Sequence, residues 1–397
     1  MLKMLDQHEK WINDQLNNVV DFWIKYGMDH IHGGVYTCID ESGKIFSTDK
    51  SVWMQGRCGW TFSYLCRIYG IKKEWLDAAK SCLDFMEEHC INPKNGRMYF
   101  TVTKDGRPLR QRRYYYSEAF YCMANAEYYG VTKHQEHLER ARRAYEIYFN
   151  LYQGGADPVG LPNKSERPAR SLGLPMILLN VTSIMLRIDP ERRELYLSRG
   201  NQCVEDILTY HVKPELNCTL ENVAPDGSPR LDISEGRIVN PGHDIECSWF
   251  LMEWAKIAKD PSLIDKARKI FDIAFEKGWD REYGGILYFT DCLGLPPESY
   301  EHDMKLWWPH NEALIASLML YRETADENYL EIFETLIDYC NSHFASAHCG
   351  EWYGYLRRDG KPTLPACIGS TFKGPFHVPR CLIILDQIIK EMKENEQ

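Results

Sequence analysis

Three histidines stand at equal intervals, with His243, His310 and His377 separated by 67 residues and then by 67 again. Each follows a proline or its immediate neighbour, in Pro241-Gly242-His243, Pro309-His310 and Pro375-Phe376-His377. Proline is favoured at the first position of a helix, where its missing N–H would be unpaired anyway. The spacing therefore predicts three equivalent positions at the start of three helices. Histidine titrates near neutrality and suits reversible proton transfer. At a helix N-terminus the dipole favours the neutral ring and stabilises a nearby anion. Glu246 lies three residues after His243, and Glu312, Arg57 and the tryptophans Trp53, Trp249, Trp307 and Trp308 fall near the same phase. Aromatic faces, carboxylates and one guanidinium are what grips a sugar ring. Earlier in the chain the same phase holds Arg57 and Glu118, and near Met176 no acid–base group. A single buried histidine is more often a satisfied core residue than a catalyst. Three in register at one rim favour function for at least two.

Other chemistries fit less well. Three histidines could hold zinc or iron, but they belong to three separate helices, and no HExxH or facial-triad pattern accompanies them. No metal is expected. A glycosidase needs two carboxylates flanking a bond, and here histidines hold the in-phase positions. Residues 155–165 (GADPVGLPNKS) half resemble a phosphate-binding loop, with three residues too many between Gly160 and Lys164 and no strand leading in. Cys381, beside the last histidine, reads as a core thiol rather than a nucleophile.

The elements that must position these residues recur along the chain. Segments with hairpin character begin at Gly33 (GGVYTCIDESGK), Gly96 (GRMYFTVTKDGRP), Cys218 (CTLENVAPDGSP), Gly284 (GGILYFTDCLG) and Gly350 (GEWYGYLRRDGKP). Their turn glycines, Gly43, Gly106, Gly227, Gly294 and Gly360, lie 63, 121, 67 and 66 residues apart. The gap of 121 hides one further unit around Gly160, so the chain carries six units. Between hairpins, residues 75–89 and 262–277 show apolar residues at three-and-four spacing, as one-sided helices do. Residues 119–129 and 248–258 are apolar nearly all round, as inner helices would be. One helix of each kind per unit predicts an all-α fold, an (α/α)6 barrel of six inner and six outer helices with short β-hairpins on one face. The expected domain is single and spans residues 1–397. An open solenoid would want polar capping repeats, and neither end looks like one.

Composition narrows the partners. The 397 residues carry 47 Lys and Arg against 57 Asp and Glu, a net charge of −10, with no basic stripe for nucleic acid. The nearest candidate, RPLRQRR at residues 107–113, is short and runs into three tyrosines. The first residues, MLKMLDQHEKW, are charged and lack the apolar core of a signal peptide. The longest apolar run, residues 172–186, is broken by Pro175, Asn180, Thr182 and Ser183, so no membrane span is expected. Fourteen cysteines without a CxxC pair suit reduced thiols. The expectation is a soluble cytoplasmic protein.

VWMQGR (52–57), NPGHDIECSWFL (240–251), MKLWWPHNEA (304–313) and GPFHVPRC (374–381) resemble segments of the N-acylglucosamine 2-epimerase family, whose animal members are also called renin-binding proteins. The likeness runs from DFW near Asp21 to the final helix. Cellobiose 2-epimerases and sugar aldose–ketose isomerases share the barrel and the histidines, and HVPR looks closer to the N-acylglucosamine branch. The resemblance implies an (α/α)6 barrel that interconverts N-acetyl-D-glucosamine and N-acetyl-D-mannosamine, in sialic acid metabolism, through an enediolate-type anion of the open sugar. It implies His243 and His377 as the two bases and Arg57 at the carbonyl. Glu246 would orient His243, and His310, Glu312, Glu118 and Trp308 would line the sugar pocket. It also implies a homodimer and ATP as an activator that is not consumed, for which Gly155, Gly160, Lys164 and Ser165 form a candidate contact. Two alternatives stay open: an epimerase or isomerase of unmodified sugars such as cellobiose, glucose or mannose, and a non-catalytic protein-binding module.

Overall fold

The structure, a computed structural model, describes residues 2–111, 115–155 and 168–395. Among them, helices of 13 residues or more alternate in character along the chain. Six carry one apolar face: α1 (Leu2–Phe22), α3 (Lys73–His89), α5 (Gln135–Tyr152), α7 (Arg193–Asp206), α9 (Ser262–Gly278) and α11 (Glu327–Tyr339). In α3, for instance, Trp75, Ala78, Ala79, Cys82, Leu83 and Met86 form a stripe at helical spacing and are buried. The other six are α2 (Val52–Tyr69), α4 (Tyr116–Thr132), α6 (Gly173–Ile188), α8 (Pro241–Ala258), α10 (Trp307–Thr324) and α12 (His377–Asn395). In α10 every residue from Trp307 to Tyr321 is buried, so no face is left for solvent.

Packing follows from that difference. Each inner helix touches the next, from α2 through α4, α6, α8 and α10 to α12, and α12 returns to α2. The outer helices α3, α5, α7, α9 and α11 each pack on an inner one, and α1, first in the chain, packs on the last. The fold is an (α/α)6 barrel. One apolar cluster runs from Leu5 on α1 to Ile389 on α12. A small second one comprises Cys218, Leu220, Val223, Val239 and Cys292. None of the described helices is long and apolar enough to cross a membrane. All fourteen cysteines are unpaired.

The five turn glycines that set the period, Gly43, Gly106, Gly227, Gly294 and Gly360, all adopt φ between 77° and 87°. That is the left-handed region where a side chain would be strained. The strands they were expected to join into local hairpins are only two or three residues long, and most pair between units. Lys50–Ser51 pairs with Thr101–Val102, Arg170–Ser171 with Asn222–Val223, Ile238–Val239 with Thr290–Asp291, and Lys305–Leu306 with Tyr355–Leu356. A two-residue ladder has no stability alone. Each of these four ties the residues leading into an inner helix to the loop of a following unit, which holds the inner N-termini at one rim.

Candidate active site

A cavity of about 740 Å³ opens at that rim, with His243, His377, Arg57, Trp308, Glu221 and Glu246 in its wall. Local sequence sets the two histidines. The side chain of Asn240 caps α8 by accepting the backbone N–H of His243 at 3.2 Å, and Pro241 takes the first helical position. His377 opens α12 directly. The Trp308 indole contacts both imidazoles, 5.2 Å from the His243 ring and 5.9 Å from that of His377.

Each imidazole is tied by Nδ1 to a carboxylate, His243 to Glu221 at 2.8 Å and His377 to Glu312 at 2.7 Å. An ionised carboxylate only accepts, so both Nδ1 atoms carry the proton and both Nε2 atoms are left for the cavity. The surroundings set the rings apart. Burial works against charge on His243, but the Glu221 charge and hydrogen bond, with Glu246 and Glu312 behind, outweigh it and push the pKa up. At His377 burial is joined by the charges of Arg57 and Arg380, and the pKa falls well below its ordinary value. A pair of rings set apart in this way is what an acid–base pair requires.

Arg57 reaches the cavity from α2, its guanidinium 4.3 Å from the Phe120 ring centre and 4.8 Å from that of Phe376. Its buried Nε has no hydrogen-bond partner among the described residues. Burial brings its pKa down to about 9 against the pull of Glu246 and Glu312. Trp53, Trp307 and Trp308 line the cavity; Trp249 does not, and its Nε1 donates to Glu312 Oε2 at 2.9 Å.

Four expected roles are corrected. Glu246 does not orient His243. It faces the cavity but accepts from Arg380 Nη2 at 2.6 Å, because a guanidinium outcompetes an imidazole for a carboxylate. The orienting residue is Glu221, fixed by its own backbone: Leu172 N–H donates to its carbonyl at 2.9 Å, and its N–H donates to Ile238 O at 3.0 Å. Glu312 is fully buried behind His377 rather than in the cavity wall.

His310 and Glu118 lie away from the cavity wall for a shared reason. His310 Nε2 accepts the N–H of Ile286 at 2.9 Å, Glu118 Oε1 that of Met98 at 3.0 Å, and Gln55 Oε1 that of Val35 at 2.8 Å. In three units, one polar side chain near the start of an inner helix satisfies a buried loop amide. In these units the periodic position is an anchor. His310 Nδ1 meets Leu306 O at 2.7 Å, its ring stacks on Tyr339, and burial presses its pKa down to about 3. His310→Ala should therefore cost about 2–4 kcal/mol of stability through the void and the orphaned amide. Denaturant unfolding would show it, with kcat held within about threefold; an unchanged midpoint with a collapsed kcat would contradict this.

The sequence reading missed Glu221 and Arg380. Arg380 was findable, since it lies three residues after His377 on one helix and so on the same face. Glu221 sits inside a segment read only as a hairpin, and nothing in its spacing points to His243. Of the proposed nucleotide loop, Gly155 ends α5 through a bond from its N–H to Asn150 O at 2.8 Å and is not in the cavity wall. Gly160, Lys164 and Ser165 lie outside the described residues, as do Arg112 and Arg113 of the basic segment. Glu246, Glu312 and His377 each bring one ligand atom within 4.8 Å of the others, a spacing a metal could use. The cation on both carboxylates is the guanidinium of Arg380, 2.6 Å from each. Cys381 is buried in the core, and burial raises its thiol pKa far above the ordinary value.

Residues 34–374 match the family model described as N-acylglucosamine 2-epimerase (GlcNAc 2-epimerase). The N-acylglucosamine 2-epimerase of Mus musculus is 36% identical over 389 residues, covering 96% of this chain and 91% of that protein. The cellobiose 2-epimerase of Ruminococcus albus is 24% identical over 398 residues, covering 93% and 96%. The solved structure of cellobiose 2-epimerase from Bacillus thermoamylovorans B4167 matches with a TM-score of 0.83 at 20% identity, over 98% of this chain and all of that one. That last likeness carries the fold.

Proposed function

This chain belongs to the N-acylglucosamine 2-epimerase family, and from that premise we propose that it interconverts N-acetyl-D-glucosamine and N-acetyl-D-mannosamine by moving the proton at C2. The observation that carries the reading is the pair of imidazoles in the wall of one cavity, both against Trp308 and each with Nδ1 tied to a carboxylate.

The C2 proton of the open sugar is acidified by the neighbouring C1 aldehyde. His377, neutral, takes it at Nε2 and becomes an imidazolium against Glu312. The electron pair moves onto the C1 oxygen, giving an enolate anion, since C2 carries nitrogen, and the Arg57 guanidinium in the cavity wall stabilises it. His243, protonated against Glu221, returns a proton to C2 from the other face, and configuration inverts. The reverse direction uses the same groups with their protonation exchanged, as microscopic reversibility requires. Identity of 36% to an N-acylglucosamine enzyme, against 24% to a cellobiose enzyme, favours the N-acetyl substrate over unmodified sugars. A place in sialic acid metabolism, ATP as an unconsumed activator, a homodimer and a cytoplasmic location belong to the same proposal.

Proton NMR of N-acetyl-D-mannosamine with the enzyme in deuterated water, with and without ATP, tests it. The expected result is N-acetyl-D-glucosamine carrying deuterium at C2. Conversion of cellobiose or glucose with the N-acetyl sugars untouched would transfer the assignment to the unmodified-sugar branch. A folded protein that converts none of them would overturn the reading.

A further inference from the structure

Removal of a proton by one histidine and its return by the other leave two buried charges of the site, Glu246 and Arg380, without a task. Arg380 lies on α12 one turn after His377 and is 3% exposed. Its Nη2 stands 2.6 Å from Glu246 Oε1, 2.6 Å from Glu312 Oε1 and 3.3 Å from His377 Nδ1. The Phe376 ring centre lies 4.6 Å from the guanidinium carbon and that of Trp249 5.2 Å away.

We propose that Arg380 is a positioning residue for His377: one guanidinium nitrogen joins Glu246 and Glu312 into a clamp, and the clamp decides which nitrogen of His377 meets the substrate. The inference rests on the two-histidine reading. The 2.7 Å contact of Nδ1 with Glu312 requires a proton on Nδ1, so the longer approach of Arg380 to that atom is proximity rather than donation. Without the cation, Glu246 and Glu312 would be two buried carboxylates within one small cluster. Like charges that close cannot both stay ionised, and one takes up a proton. A protonated Glu312 would donate to Nδ1 and drive the ring to the other tautomer. Nε2 would then carry hydrogen and could take nothing from C2.

Charges from four inner helices face His377: Arg57 on α2, Glu246 and His243 on α8, Glu312 on α10, and Arg380 on α12. The two guanidinia match the two glutamates, and His243 has Glu221 as its own counter-charge. Among these groups no anion is left over to hold a resting imidazolium at His377. Burial and the two guanidinium charges press the same way.

The test reads the ring itself, in full-length enzyme labelled with ¹⁵N-histidine, with the His377 signals assigned by their loss in His377→Asn. In the unaltered protein at neutral pH the expected spectrum has hydrogen on Nδ1 and a bare Nε2. In Arg380→Met, Nε2 should gain hydrogen, or the ring should titrate at higher pH because a neighbouring positive charge is gone. kcat should fall about 10²-fold, with KM within about threefold. Arg380→Lys keeps a charge between the glutamates and should restore the tautomer and most of the lost kcat. If Arg380→Met does not fold, the unaltered spectrum and Arg380→Lys decide. Hydrogen on Nε2 in the unaltered enzyme would overturn the proposal, as would an Arg380→Met that leaves both spectrum and kcat unchanged. The expected spectra in an enzyme that epimerises no sugar would keep the clamp and remove the proposed reaction instead.

Discussion

His243→Asn and His377→Asn are each expected to lose epimerisation by about 10²–10⁴-fold, and each to keep half of the reaction. Inversion at C2 needs a proton removed from one face and delivered to the other. A variant retaining one imidazole can still take the proton from the epimer whose C2–H faces that ring, exchange it with solvent, and put deuterium back on the same face. In deuterated water each variant should wash the C2 proton out of one epimer without forming the other. The two variants should act on opposite epimers. Asparagine suits both positions because its amide can donate to Glu221 or Glu312, so neither carboxylate is left alone. Conversion at the unaltered rate by either variant, or exchange of the same epimer by both, would end the two-base scheme.

The unequal settings of the rings bear on the same experiment. A base must be neutral and an acid protonated, and a pair of identical histidines at neutral pH would only partly meet that need. Here Glu221 holds the charge on His243, while burial and two guanidinia keep it off His377. In the direction that begins at His377, activity should persist well below pH 6.5 and fall as pH rises through the raised value of His243.

Much of this was legible in sequence because repetition exposes backbone requirements. A positive φ at the same place in several loops admits little besides glycine, so Gly43, Gly106, Gly227, Gly294 and Gly360 mark the period. The inner and outer helices separate because an inner one has no solvent face. Side-chain direction is another matter. His243, His310 and His377 are equally spaced, yet they stand third, fourth and first in their helices. Each residue step turns a side chain by about 100°. His310 looks outward to Ile286 and Tyr339, while the other two look into the cavity. Glu221 was hidden for a second reason. It reaches His243 through the pairing of Asn222–Val223 with Arg170–Ser171, a contact between units that no local spacing records.

Arg57→Met should lower kcat about 10²–10³-fold while leaving the fold at least as stable. The site holds a buried N–H donor on Arg57 that finds no acceptor among the described residues. Burying such a group has a cost, and native structures rarely tolerate it without a use. The Arg57 guanidinium reaches the cavity wall, where an oxygen gaining negative charge is the acceptor it suits, and the C1 oxygen gains most in the transition state. Loss of the donor should therefore appear mainly in kcat, with a smaller change in KM. Methionine keeps apolar contact with Phe120 and Phe376 and removes a charge that burial already disfavours, so the thermal midpoint should hold or rise. The pairing of outcomes is what identifies the role. An Arg57 that served packing alone would lose stability and spare kcat, and one that only bound the ground-state sugar would raise KM and leave kcat intact.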